Sequence, residues 1–164
     1  MSTTYQAPEA TQVGHIHLKV SDIHRSLGFY RDLLGFQVTA WYGDQAVFLS
    51  AGGYHHHIGL NTWHSEGQTP SPRNRAGMYH VAFLYPSRKE LAHILKRLID
   101  AKYPLIGASD HGVSEAIYLE DPDQNGVELY CDRPRDQWVI TDDGSIEMVN
   151  KALDLEGLLS ILDH

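Results

Sequence analysis

Alternating apolar and polar residues predict the first structural unit of the chain. Within residues 13–20 the even positions are Gly, Ile, Leu and Val, whereas the odd ones include His15, His17 and Lys19. This period of two is typical of a β-strand. An amphipathic helix is predicted next, because Asp22 can cap its start and Gly35 can end it. Three further strands are predicted over 36–42, 45–51 and 54–62, with Gly43-Asp44 and Gly52-Gly53 as tight turns.

The same order of elements recurs after a Ser-, Gly- and Pro-rich stretch. A strand over 78–85 precedes a helix whose Ser87 and Glu90 have capping-box spacing, and strands follow over 104–108, 114–119 and 126–131. We therefore divide the chain into a first βαβββ module (12–63), a linker (64–77), a second module (78–135) and a C-terminal extension with a short helix (136–164). The predicted fold is α+β, with the two modules forming a cupped, mixed β-sheet and the helices outside.

The composition of the chain argues against several classes of function. A formal net charge of −8 argues against nucleic-acid binding, which needs a basic surface. The apolar runs are shorter than the ~20 residues that cross a bilayer. The first eight residues lack the basic and apolar regions of a signal peptide. Cys131 is the single cysteine, which excludes an internal disulfide and a thiolate metal cage. We expect a cytoplasmic protein that binds neither nucleic acid nor membrane.

The candidate chemistry comes from histidines, of which the chain has 11. His15 and His80 occupy matching places in the first strands of the two modules, and Glu128 lies on the last strand. Two imidazoles and one carboxylate form the facial arrangement of non-haem Fe(II) enzymes, so we predict a metal site at these three residues. Additional ligands or substrate contacts are predicted from residues on the same strand faces, namely His17, His55, His57 and Tyr130.

His111 and Tyr118 are the predicted groups for proton transfer at the mouth of the cup. His56 is interpreted as part of a surface patch on an edge strand. Two simpler interpretations stay open. A histidine on a strand is often hydrogen-bonded scaffold, and residues 121–125 (DPDQN) have the composition of a plain turn.

Several motifs resemble those of the vicinal-oxygen-chelate superfamily, which includes glyoxalase I, bleomycin resistance proteins and extradiol dioxygenases. They are Gly14-His15, FYRDLLGF over 29–36, Tyr79-His80 and DPDQNGVE over 121–128. The resemblance implies paired βαβββ modules and a metal at His15, His80 and Glu128. The stretches 52–63 and 111–118 are most similar to Bacillus-type catechol extradiol dioxygenases, in which an active-site Tyr lies ten residues before the Glu ligand, as Tyr118 does here.

That similarity implies Fe(II) and an aromatic diol as the small-molecule substrate. A homodimer is also expected, and it stays open whether the cup forms within one chain or by exchange of modules between two, since proteins of this superfamily do both. The chain departs from the dioxygenase pattern because it has two modules rather than four and Gln124 where the motif has Gly. Two alternatives therefore stay open. One is a glyoxalase-like isomerase or thiol transferase using Mn(II), Ni(II) or Zn(II). The other is a protein that sequesters a small molecule without catalysis, as bleomycin resistance proteins do.

Overall fold

Two mixed β-sheets with helices packed against them form the framework of the chain. A computed structural model describes residues 4–163. Residues 1–3, part of the stretch compared with a signal peptide, and His164, the last residue of the predicted extension, lie outside that range. No helix within residues 4–163 is long and apolar enough to cross a membrane.

Within residues 4–163, nine strands make up the two sheets. They are β1 (Ile16–Lys19), β2 (Gln37–Tyr42), β3 (Ala46–Ser50), β4 (Ile58–Asn61), β5 (Val81–Leu84), β6 (Gly107–Asp110), β7 (Ser114–Glu120), β8 (Gly126–Asp132) and β9 (Lys151–Ala152). The helices are α1 (Ile23–Leu27), which continues as a π-helical segment over Gly28–Leu33, α2 (Arg88–Asp100) and α3 (Leu155–Leu159). Short 3-10 segments lie at Arg135–Gln137 and Ser160–Asp163.

Both sheets are built in the same way. The first has the order β1-β4-β3-β2 and the second β5-β8-β7-β6-β9. In each, the first strand pairs in parallel with the fourth, while the second, third and fourth strands pair antiparallel. One face of each sheet packs against its helix, and the two sets of apolar side chains join one core. The predicted α+β fold class is confirmed.

Helix starts and stops follow the sequence signals. The Asp22 carboxylate accepts a hydrogen bond from the Arg25 N–H, and the Ser87 hydroxyl accepts one from the Glu90 N–H. Gly35 has φ +89°, the left-handed conformation that ends many helices at glycine. The second half of the first helix is π-helical, a variation that apolar spacing does not reveal.

Several predicted strand limits were wrong. The fourth strand begins at Ile58 rather than residue 54, so Gly52-Gly53 is not a tight hairpin turn but the start of a longer connection. Thr39, at the bulge in β2, donates its hydroxyl hydrogen to the His55 carbonyl oxygen (2.8 Å), so this connection contacts β2 through a side chain and not through ladder pairing. The sixth strand lies at Gly107–Asp110 instead of 104–108, and β9 was not predicted.

The turn at residues 121–125 joins the two modules. Asp121 is buried, and its carboxylate accepts a hydrogen bond from the Tyr30 hydroxyl of the first module (2.9 Å). Asp123 accepts hydrogen bonds from the Ser21 backbone N–H and hydroxyl and from Arg25. Burial raises the pKa of Asp121 above its usual range. The segment is a turn, as the simpler interpretation predicted, and its two buried carboxylates also form hydrogen bonds with residues of the first module.

Loss of the Tyr30 hydroxyl is expected to weaken this attachment. A hydrogen bond to a charged group contributes about 1.5–3 kcal/mol, so Tyr30→Phe should lower the free energy of unfolding by about that amount. Denaturant unfolding measures the change. Tyr42→Phe is the matched control, because Tyr42 is exposed, and it should have no effect. Equal stability of Tyr30→Phe and the unchanged chain would contradict a role for this bond in joining the modules.

Candidate metal centre

Strand register makes His15 and His80 equivalent positions. In the first sheet Ile16 lies opposite Ile58, and in the second Val81 lies opposite Val127. Each histidine immediately precedes the first paired residue of its strand. By the same register, the position of Glu128 in the second module corresponds to Gly59 in the first. The two modules together therefore offer two imidazoles but a single carboxylate.

His80 and Glu128 come together at the end of the β5–β8 pair. His80 Nε2 and Glu128 Oε2 lie 2.8 Å apart. Two ligand atoms at right angles on one ion, with bonds of about 2.1 Å, would be about 3 Å apart. Both side chains can be reached from solvent, because 32% of the His80 side chain and 12% of the Glu128 side chain are exposed. Nitrogen and carboxylate oxygen are suitable donors for a divalent transition metal, so this pair fits two positions of a metal site.

Gly126 makes the approach of the two strands possible. A Cβ at this position would lie 2.3 Å from the Tyr79 carbonyl oxygen and 3.0 Å from the His80 Cβ. Real Cβ atoms do not come that close to backbone oxygen, so any side chain at position 126 must push residues 79 and 80 away. The glycine therefore sets the separation between His80 and Glu128.

Gly126→Ala is expected to displace His80 from Glu128 and so weaken metal binding. Changes that disturb the support of a ligand typically reduce metal affinity about 10–100-fold. Titration with a divalent metal in the presence of a competing chelator measures the effect. Gly107→Ala is a suitable control, because Gly107 lies on β6 of the same sheet with open space around its Cα. Unchanged affinity in Gly126→Ala would contradict this assignment.

His15 does not join this pair within one chain. Among residues 4–163, no three His, Cys, Asp or Glu side chains are close enough to hold one ion. His15 instead packs against His56, with ring centroids 4.4 Å apart. His56 Nδ1 lies 2.7 Å from His55 Nδ1. The edge-strand part of the interpretation of His56 was wrong, because His56 precedes β4, an interior strand. Its ring is partly exposed and packs against His15 and Phe48.

His17 occupies the space above Gly59. A Cβ at Gly59 would lie 2.9 Å from the His17 ring, which also packs near Phe48 and Trp63. Burial and the neighbouring His15 lower the pKa of His17. The ring fills the place where the second module carries its carboxylate. The first module therefore has no carboxylate at the position equivalent to Glu128, and the His17 ring occupies the space that such a side chain would need.

His57 is the last residue of the connection between β3 and β4. Its Nδ1 accepts a hydrogen bond from the Ala51 N–H (3.3 Å) and lies 3.0 Å from the Ser50 hydroxyl. Tyr130 lies two residues after Glu128 on β8, so it has the same strand face, and it is half-buried. Burial and the nearby Asp132 and Glu128 raise its pKa.

A chain of hydrogen-bonding groups leads from Glu128 to His111. Tyr118 lies opposite Glu128 across the β7–β8 pair and donates its hydroxyl hydrogen to Glu128 Oε1 (3.1 Å). His111 Nε2 lies 2.7 Å from the Tyr118 oxygen. Burial and the Glu128 charge raise the pKa of Tyr118 to about 12, so the phenol stays protonated at neutral pH. The second module thus assembles His80, Glu128, Tyr118 and His111 in one connected group.

Sequence reasoning missed three contributors to this region. Phe48 and Trp63 line the first sheet beside His17, and their aromatic side chains beside the histidines were the available signal. Val149 contacts His111 through its carbonyl oxygen. No local pattern could have identified that contact, because it depends on how the C-terminal segment folds back.

Comparison with known proteins agrees with the fold and with the motifs. A family model described as the Glyoxalase/Bleomycin resistance protein/Dioxygenase superfamily matches residues 12–129. The chain is 44% identical over 151 residues to a catechol-2,3-dioxygenase of Bacillus subtilis, covering 92% of this chain and 52% of that protein. It is 29% identical over 122 residues to biphenyl-2,3-diol 1,2-dioxygenase 3 of Rhodococcus globerulus, covering 74% and 63%. The chain thus spans about half to two thirds of the length of these relatives.

Solved structures show the same fold. A glyoxalase/dioxygenase from Nostoc punctiforme superposes with a TM-score of 0.66 at 18% identity, covering 82% of this chain and 100% of that one. A lactoylglutathione lyase from Agrobacterium tumefaciens gives a TM-score of 0.58 at 20% identity, covering 77% and 96%. The family match extends across both modules and includes the motifs around His15, His80 and Glu128. The chain belongs to the glyoxalase/bleomycin resistance protein/dioxygenase superfamily.

Proposed function

We propose that this chain is a metal-dependent extradiol dioxygenase that cleaves the ring of a catechol-type substrate. The observation that carries the proposal is the connected group in the second module, in which His80 meets one oxygen of Glu128 and Tyr118 meets the other. The names of the Bacillus and Rhodococcus relatives support an aromatic diol as the substrate.

His80 and Glu128 would hold the metal, for which Fe(II) suits the two-histidine, one-carboxylate set best. When bound, such an ion supplies charge that holds neighbouring substrate oxygens and lowers the pKa of a substrate hydroxyl. The third ligand in the proposal is His15 of a second copy of the chain. Because the two modules are equivalent, a twofold dimer can present the first module of each copy to the second module of the other.

Exposed apolar side chains beside the two histidines support such a dimer. Val13 is 86% exposed and Tyr79 91% exposed, and Met78 is also exposed. They precede β1 and β5, next to His15 and His80. Large apolar side chains at these positions are suited to an interface that would bring the two strand ends together.

Tyr118 and His111 carry the proton chemistry in this proposal. The Tyr118 phenol is protonated at neutral pH and can donate a hydrogen bond to a ring oxygen of the substrate. His111 Nε2, next to that hydroxyl, can take a proton from the substrate or return one to the product. Because both side chains lie on the second module beside Glu128, they would act on the same substrate atoms.

Reconstitution with Fe(II), followed by incubation with catechol and with 2,3-dihydroxybiphenyl in air, tests the proposal. Formation of a yellow ring-cleavage product with uptake of O₂ is the expected result. Metal binding without ring cleavage, together with isomerase or thiol-transferase activity, would favour the glyoxalase-like alternative, although Gly59 supplies no carboxylate for it. Binding of an aromatic ligand by a chain that takes up no Fe(II), Mn(II), Ni(II) or Zn(II) would favour sequestration.

A further inference from the structure

We infer that the C-terminal arm, residues 138–153, positions His111 for proton transfer through the backbone carbonyl of Val149. This inference rests on the proposed function, because it assigns a task to a segment outside both modules in the same reaction. It makes Val149 a positioning residue, which acts through His111 and does not touch the reacting atoms.

The arm and the His111 segment bond each other reciprocally. His111 Nδ1 lies 2.8 Å from the Val149 carbonyl oxygen, and the Val149 N–H donates to the His111 carbonyl oxygen (3.1 Å). Pairing then continues, since Lys151 and Ala152 of β9 lie opposite Asp110 and Ser109 of β6. The loop that carries His111 is therefore held along the arm by several backbone contacts.

The Val149 carbonyl determines which ring nitrogen of His111 carries hydrogen. A carbonyl oxygen can only accept, so the 2.8 Å contact requires a hydrogen on Nδ1. In the neutral ring Nε2 is then the unprotonated nitrogen, so it accepts the single Tyr118 hydroxyl hydrogen at 2.7 Å. The 3.1 Å bond from Tyr118 to Glu128 forms when Nε2 also carries a hydrogen and donates it to the Tyr118 oxygen. The arm thus fixes both the direction of the imidazole and the tautomer that can take a proton.

The arm is anchored on both sides of Val149. The Trp138 indole N–H donates to the Arg133 carbonyl oxygen (2.9 Å), and Leu158, just beyond the arm, is fully buried in the core. Gly112, with φ +79°, fits against the arm, because a Cβ there would lie 3.2 Å from Val149 Cγ2. The Val149 carbonyl is consequently held in place relative to His111.

Val149→Pro and Val149→Ala separate the backbone role from the side chain. Proline removes the N–H that binds the His111 carbonyl and restricts the backbone that aims the Val149 carbonyl, whereas alanine keeps both groups. Val149→Pro should lower kcat about 10–100-fold, with KM and metal content little changed, and Val149→Ala should stay within about twofold of the unchanged chain. A Val149→Pro chain that folds, binds metal and keeps kcat within about twofold would overturn the inference.

Nitrogen-15 NMR of the imidazole rings tests the same point without an activity assay. In the unchanged chain, loaded with diamagnetic Zn(II) and measured near neutral pH, the neutral ring of His111 should carry its hydrogen on Nδ1. Val149→Pro should lose that preference. A neutral His111 ring with hydrogen on Nε2 in the unchanged chain would overturn the inference, whether or not Val149→Pro folds. Because this readout requires no ring cleavage, failure of the proposed reaction and failure of the positioning role are distinguishable.

Discussion

Glu128→Gln is expected to remove most bound metal and to reduce ring cleavage by more than about 100-fold. Glutamine keeps the shape of the side chain and can still accept a hydrogen bond from Tyr118, but it lacks the charge that a divalent ion needs. Substitutions next to a metal ligand reduce metal affinity or activity by about 10–100-fold, so loss of the charge on the ligand itself should reduce both further. Metal analysis after reconstitution with Fe(II) and the rate of catechol cleavage measure the two effects.

Glu120→Gln is the matched control for this substitution. Glu120 ends the adjacent strand β7, and its carboxylate pairs with Arg73 rather than with His80. The same chemical change at that position should leave metal content and rate unaffected. A Glu128→Gln chain with full metal content would mean that the ion is held elsewhere, and the histidines around His15 would then be the next candidates.

Mixed dimers of His15→Ala and Glu128→Ala chains are expected to regain activity that neither variant has alone. If each site takes His15 from one copy and His80 with Glu128 from the other, a mixed dimer has one intact site and one doubly altered site. Random pairing of equal amounts gives about one quarter of the activity of the unchanged protein, since half of the dimers are mixed and half of their sites are intact. Co-expression with two affinity tags and a rate measurement on the mixture test this.

The control for the mixture is His80→Ala with Glu128→Ala. These two residues belong to one module of one chain, so every site in their mixed dimers lacks one ligand and activity should not return. An inactive mixture of the His15 and Glu128 variants, in dimers shown to contain both chains, would contradict the shared site. It would place all three ligands within one copy or remove His15 from the ligand set.

Local patterns predicted the framework and the equivalence of the two histidines. Alternation located β1, β5 and β8 to within a few residues, and the repeated order of elements made His15 and His80 correspond before any register was known. The strand pattern over 126–131 also placed the carboxylate of Glu128 on the last strand of the second module. These features depend on strand periodicity and on caps such as Asp22 and Ser87, which act over a few residues.

Features that depend on long-range contacts could not be predicted in this way. Residues 54–57 were predicted as part of the fourth strand, yet they lie outside the sheet, where His55 accepts a hydrogen bond from Thr39 and His56 packs against His15. The distance between His15 and the His80–Glu128 pair depends on how the modules pack, to which the shared apolar core and the hydrogen bonds of Asp121 and Asp123 both contribute. The contact of Val149 with His111 depends on the path of the C-terminal arm.

The most direct test of the metal centre is a crystal of the Fe(II)-loaded protein with an anomalous-scattering map at the iron edge. We expect one peak per chain at bonding distance, about 2.0–2.2 Å, from His80 Nε2 and a Glu128 oxygen, with His15 of the second copy as the third protein ligand. A peak bound by His15, His55 and His56 of one chain, or no peak beside Glu128 in iron-loaded crystals, would contradict the account.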